Sequence, residues 1–174
     1  NTAVDVTTDE LVIDTAAPNV PTVVPLATNV PGPVVSGTYD PSDFGGLSVT
    51  VNGVTYDDTD PELTVDGTGG WTLDLPVLTD GTYDVAAVQT DGSGNTASDT
   101  TVDELTIDTV APGAPSVDAQ MTDDATPLVT GGYDASEPTV VLVVTLDGTT
   151  YTLGTDAELS VDGTGTWSLD VATP

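Results

Sequence analysis

Asp80-Gly81-Thr82-Tyr83-Asp84-Val85-Ala86-Ala87-Val88-Gln89-Thr90-Asp91-Gly92-Ser93-Gly94-Asn95-Thr96 is the stretch that decides how this chain reads. Residues 82–90 have the composition and period-2 alternation of a strand, and a further strand is expected over residues 96–107. Between them, Asp91 to Asn95 is rich in the residues that suit tight turns. Tyr83 stands where a tyrosine corner would place its ring and hydroxyl, at the start of a strand. Upstream, the same alternation marks residues 20–24, 34–39, 47–51 and 71–75, with an irregular strand over residues 54–65 interrupted near 57–61. Asn52-Gly53 between two of these is the strongest short hairpin signal available. No stretch has sustained 3.6-residue apolar spacing. Seven short antiparallel strands with frequent turns describe an all-β, immunoglobulin-like sandwich. Trp71 and Trp167 alternate with leucines, which assigns them to core packing rather than to sugar stacking.

The chain also nearly repeats itself. Asp9-Glu10-Leu11-Val12-Ile13-Asp14-Thr15-Ala16-Ala17-Pro18 returns 94 residues later as Asp103-Glu104-Leu105-Thr106-Ile107-Asp108-Thr109-Val110-Ala111-Pro112. Tyr39-Asp40 returns as Tyr133-Asp134 at the same offset. The offset then drifts to 96 by Trp71 and Trp167, as two single-residue loop insertions would produce. A period of this length is one small domain, so the sequence reads as a window on a tandem array. Residues 1–16 correspond to the last strand of a preceding repeat, residues 17–110 to a complete unit, and residues 111–174 to a second unit without its last strands. Ala17-Pro18-Asn19-Val20-Pro21 and Ala111-Pro112-Gly113-Ala114-Pro115 predict short, semi-rigid linkers, because proline stiffens both itself and its predecessor.

Composition removes whole classes of function. The chain has no Lys, Arg, His or Cys against 29 Asp plus Glu, a formal charge of −29. Nucleic-acid binding through phosphate contacts is excluded, and so is attraction to anionic lipid. Zinc and iron–sulfur sites lack their ligands. Nucleophilic catalysis through His, Cys or Lys is equally closed. Of enzyme chemistries only a carboxylate pair of the glycosidase kind survives, and nothing in the sequence points to it; the expectation is no enzyme. No apolar run approaches transmembrane length, so direct membrane insertion is not expected. With no internal cation, self-repulsion opposes the compact state and only external cations can offset it. Two readings follow: carboxylates converging on a divalent cation, or acidic side chains merely solvated in adaptation to high salt. The recurrence of acids at loop positions favours the first.

Strand parity gathers particular loops at one pole of the sandwich. The loop of residues 40–46, the loop of residues 91–95 and the incoming linker all reach the entrance of the complete unit. Asp14, Asp40 and Asp91 are therefore expected to converge, with Asp43 and Asn95 nearby. Asp108 and Asp134 are the equivalent ligands between the two units. Several oxygen donors from separate segments suit Ca²⁺, which takes about 6–8 oxygens in flexible geometry. Asp91 to Asn95 superficially resembles the opening of an EF-hand loop, yet it lacks the closing Glu and flanking helices. Turn formation alone is the competing reading for Asp91 and Asn95.

Taken with Val51-Asn52-Gly53-Val54-Thr55-Tyr56, these strings resemble the bacterial Ig-like repeats of giant RTX and Bap-like surface adhesins from biofilm-forming bacteria. The resemblance implies secretion, an extracellular or cell-surface location, many tandem copies and Ca²⁺ that stiffens the junctions between neighbouring repeats. It implies Asp14 and Asp108 as linker ligands and Asp40, Asp134 and Asp91 as ligands from the pole loops. The expected function is a structural extender that projects distal adhesive domains. The alternatives are a glycan- or cell-binding module, and a filament subunit that exchanges a strand with another copy.

Overall fold

The computed structural model describes residues 11, 13–136 and 141–171. The chain divides into two compact units, Asn1–Val110 and Ala111–Pro174. The first unit contains β1 (Thr22–Val23), β2 (Leu26–Thr28), β3 (Val34–Thr38), β4 (Gly46–Val51), β5 (Val54–Asp57), β6 (Leu63–Val65), β7 (Gly70–Asp74), β8 (Gly81–Tyr83), β9 (Val85–Thr90), β10 (Thr96–Ser98) and β11 (Leu105–Ile107). These form sheets of order β1-β3-β7-β6, β10-β9-β4-β5 and β2-β11-β8. The architecture is all-β, an immunoglobulin-like sandwich, as the alternation predicts.

Alternation of burial along β3, β4, β7 and β9 explains why these segments are strands with one wet face. Their inward residues, including Val35, Leu47, Val49, Trp71, Leu73, Val85 and Ala87, build one core with Leu105 and Ile107. Trp71 is buried, and its indole N–H donates to the carbonyl of Thr22 at 3.2 Å, so its polar handle is satisfied inside. The Tyr83 hydroxyl donates to the carbonyl of Thr79 at 2.8 Å, the bond of a tyrosine corner. At the Asn52-Gly53 turn both residues take positive φ, 50° and 77°, as a two-residue hairpin of the primed type requires.

Three expected strands end or break where the chain changes sheet. The segment near residues 20–24 stops at Pro25, which has no N–H to donate, and the chain changes sheet there. Before it Val24 donates to Ser36, and after it Leu26 donates to Glu104. As a result β2 runs parallel to β11, the one parallel pairing among the described strands. The expected strand over 82–90 breaks at Asp84, and that over 96–107 breaks between Ser98 and Leu105. Each half joins a different sheet.

The second unit contains β12 (Leu128–Gly132), β13 (Val143–Leu146), β14 (Thr149–Thr152), β15 (Leu159–Val161) and β16 (Thr166–Asp170). Sheets β12-β16-β15 and β13-β14 enclose Leu142, Leu159, Trp167 and Leu169. The Trp167 indole donates to Ser116, repeating the Trp71–Thr22 bond.

Gly37 sits where this motif leaves no room: a Cβ there would overlap the Thr22 carbonyl oxygen and stand 2.5 Å from Trp71 Cζ2. Gly131 meets Ser116 and Trp167 in the same way. Gly37→Ala is expected to destabilise the first unit by about 1–3 kcal/mol through overpacking. Gly92→Ala, with nothing within 4 Å, should be near neutral. Denaturant midpoints of the two variants check the contrast.

Candidate metal centre

Asp14, Asp43 and Asp91 come from three separate segments of the first unit, and each offers a carboxylate oxygen within 4.8 Å of the others. Asp91 forms the buried floor at 3 % exposure, Asp43 is half-buried and Asp14 lies at the open side. The geometry of the floor is set locally. Asp91 Oδ1 accepts the N–H groups of Ser93 and Asn95, both at 2.8 Å, which closes the turn between β9 and β10. Asn95 Nδ2 then donates to Asp91 Oδ2 at 2.7 Å and to the backbone oxygen of Asp14 at 3.3 Å. Asn95 is thus a clip between the incoming segment and the turn.

The loop between β3 and β4 is held by a residue that sequence reading missed. Gln89 is fully buried, and its Nε2 donates to the carbonyls of Asp40 at 2.8 Å and Asp43 at 2.9 Å. Its Oε1 accepts the Asp40 N–H at 2.7 Å. The signal was available: Val85, Ala87 and Gln89 occupy the inward positions of β9, and an amide there demands partners. Gly45 completes the fit, since a Cβ would overlap the carbonyl of Asp91.

The expected ligands therefore divide. Asp14, Asp43 and Asp91 are brought together, with Asn95 beside them. Asp40 is engaged elsewhere. Its Oδ1 accepts the Ser42 N–H and hydroxyl, and its Oδ2 accepts Asn19 Nδ2 at 2.5 Å. It latches the linker to the loop. Asp134 repeats this in the second unit, accepting Ser136 through Oδ1 and the Gly113 N–H through Oδ2 at 2.8 Å. Asp108 Oδ1 accepts the Val110 N–H at 3.0 Å. Glu137, at the offset of Asp43, lies outside the described residues.

Electrostatics follow the same division. The Ser42 hydroxyl and N–H hold the Asp40 carboxyl below its ordinary range, and Asn95 does so for Asp91. Asp43 is pushed up, first by desolvation and then by the charges of Asp91, Asp14 and Asp40. Three anionic oxygens this close, with no cationic side chain in the chain, suit a hard dication with oxygen ligands.

Residues 25–109 match the family model of the bacterial Ig-like domain. That match supports a domain of this type across most of the first unit; such domains are generally structural rather than enzymatic. No curated protein matches the chain.

Two outcomes are expected. Gln89→Leu strips three loop hydrogen bonds and should lower stability by about 1–3 kcal/mol, with faster amide exchange at Asp40 as the second readout. The other concerns pH. A folded-state carboxyl raised above its unfolded value favours the fold when protonated and disfavours it when ionised. In chelator, Asp43→Asn should therefore melt above the wild type at neutral pH, with the gap closing as pH falls through the carboxylate range. Paired melts across that range check the sign.

Proposed function

We propose that the chain is part of a structural extender of a secreted bacterial surface protein, in which Ca²⁺ held by Asp14, Asp43 and Asp91 stiffens the entrance to each repeat. The observation that carries this is the convergence of three carboxylates from separate segments. Asp14 belongs to the stretch that aligns with the last strand of a preceding repeat, while Asp43 and Asp91 sit on loops of the complete unit. A cation there ties the arriving chain to the next sandwich. The tandem repeat, the proline-bearing linkers and the Asp40 and Asp134 latches support the same reading, since all restrict the start of a unit. Domains of the matched type are typical of extracellular or surface proteins. Backbone carbonyls and water complete the coordination that three carboxylates begin.

Thermal melts with Ca²⁺ and with chelator test this. An extracellular module binding at about 10⁻⁴–10⁻³ M gains about 1–3 kcal/mol at ten to a hundred times its dissociation constant. The wild type should show that gain, and Asp43→Asn should show a clearly smaller one while remaining folded. Equal wild-type melts in both buffers would refute the calcium role.

A further inference from the structure

Glu104 carries a buried carboxylate oxygen that the fold leaves without a partner. The residue is 4 % exposed; its Oε2 accepts the Val85 N–H at 3.0 Å, while Oε1 is buried and has no hydrogen-bond partner among the described residues. A buried oxygen in that condition costs stability unless something meets it. Its position follows from strand register. β11 pairs with β8 so that Leu105 faces Tyr83, and one step further along that ladder brings Glu104 opposite Asp84, where the strand breaks. The ladder thus sets the two residues opposite each other. Like charges directly across a strand pair are destabilising unless a proton or a cation lies between them.

The surroundings add negative charge rather than relief. Asp99 ends the β9–β10 ladder, its N–H donating to Ala87 at 2.8 Å, and Asp103 stands just before Glu104 with a left-handed φ of 63°. The Thr101 hydroxyl donates to Asp99 Oδ2 at 2.8 Å and lies close enough to Glu104 to help hold its carboxyl low, without giving Oε1 a hydrogen bond. Asp84 is exposed, giving a site with an anionic floor and a mouth open to solvent. Its carboxyl is pushed up by desolvation and next by the charge of Glu104. The Asp-Glu pair occurs twice in the sequence, as Asp9-Glu10 and Asp103-Glu104, which makes it part of the repeat rather than an isolated acid.

We propose that Glu104 Oε1 and the Asp84 carboxylate bind a second Ca²⁺, at the break in the strands and away from the Asp14, Asp43 and Asp91 centre. Asp99 and Asp103 supply the field that draws the ion in, and water completes its shell. This ion would lie within one repeat, bridging the two halves of a split strand to the strand that follows, so it does not rest on the junction reading.

Calorimetric titration of the full chain with Ca²⁺ separates the two sites. Asp43→Asn should remove one binding event and leave another. Adding Asp84→Asn, at an exposed position, should weaken that remaining event at least tenfold. Glu104→Gln keeps an acceptor for Val85 and should act likewise. Carboxyl NMR supplies a readout that variants cannot confound: saturating Ca²⁺ should move the Asp84 titration down by at least one pH unit. An unmoved Asp84 titration would overturn the proposal and leave a proton shared between the two acids. Identical titrations for Asp43→Asn and the double variant would also overturn it, with the junction centre still standing.

Discussion

A chain with 29 acidic side chains and no basic one must stabilise every carboxylate without a salt bridge, and the fold is organised around that constraint. Several of the acids are handled by one local device. An Asp accepts the N–H, and often the hydroxyl, of a Ser or Thr two residues on. Asp40 uses Ser42, Asp57 uses Thr59, Asp66 uses Thr68, Asp124 uses Thr126, Asp134 uses Ser136 and Asp162 uses Thr164. At Asp40, Asp57, Asp66, Asp134 and Asp162 the bond favours the ionised form and sits at the end of a strand, where the chain turns. The carboxyls of Asp57, Asp66 and Asp162 are all held low by these donors, Thr59, Gly70 and Thr164 leading respectively. Negative charge becomes the punctuation of the sandwich rather than a load on it.

The acids that escape this device are the informative ones. Asp43 and Asp84 are pushed up rather than down, and both face other carboxylates from distant parts of the sequence. Desolvation is the leading cause in each, with neighbouring charge next. Hydrogen-bond donors within two residues cannot solve that problem, because the crowding is tertiary. Both lie beside a buried acidic residue, Asp91 in one case and Glu104 in the other. The difference is that both Asp91 oxygens accept at least one hydrogen bond, from Ser93 and Asn95, with capacity left on Oδ2, whereas Glu104 keeps one oxygen bare.

What the sequence reveals and what it hides follow from the same distinction between local and distant causes. The Asn52-Gly53 turn, the Tyr83 corner and the inward Trp71 are legible because short-range patterns determine them. The breaks at Asp84 and between Ser98 and Leu105 are not, since each arises where a strand leaves one sheet for another. The gathering of Asp14 with Asp91 can be deduced from strand parity alone. The choice of Asp43 over Asp40 cannot. Pro41 and Ser42 make a tight turn in which Ser42 captures Asp40, and Gln89 fixes the loop from beneath. An amide at an inward strand position was the one visible trace of that arrangement.

This separation of roles bears on which acids can fix one segment of an acidic sandwich against another. Turns stabilised by Asp and Thr form wherever their four residues lie, so they say nothing about where one segment sits against another. A centre drawn from three segments does say so: its affinity exists only when the linker, the β3–β4 loop and the β9–β10 turn are all in place. By linkage, a cation that needs that placement must also hold it. Desolvation and then repulsion raise Asp43, and the repulsion is the part that a bound dication would convert into attraction. Removing basic residues makes the conversion depend on the external ion, because no lysine or arginine is present to neutralise the site in its stead. Under the proposed function, stiffness at the entrance to a repeat would then follow the concentration of the external cation.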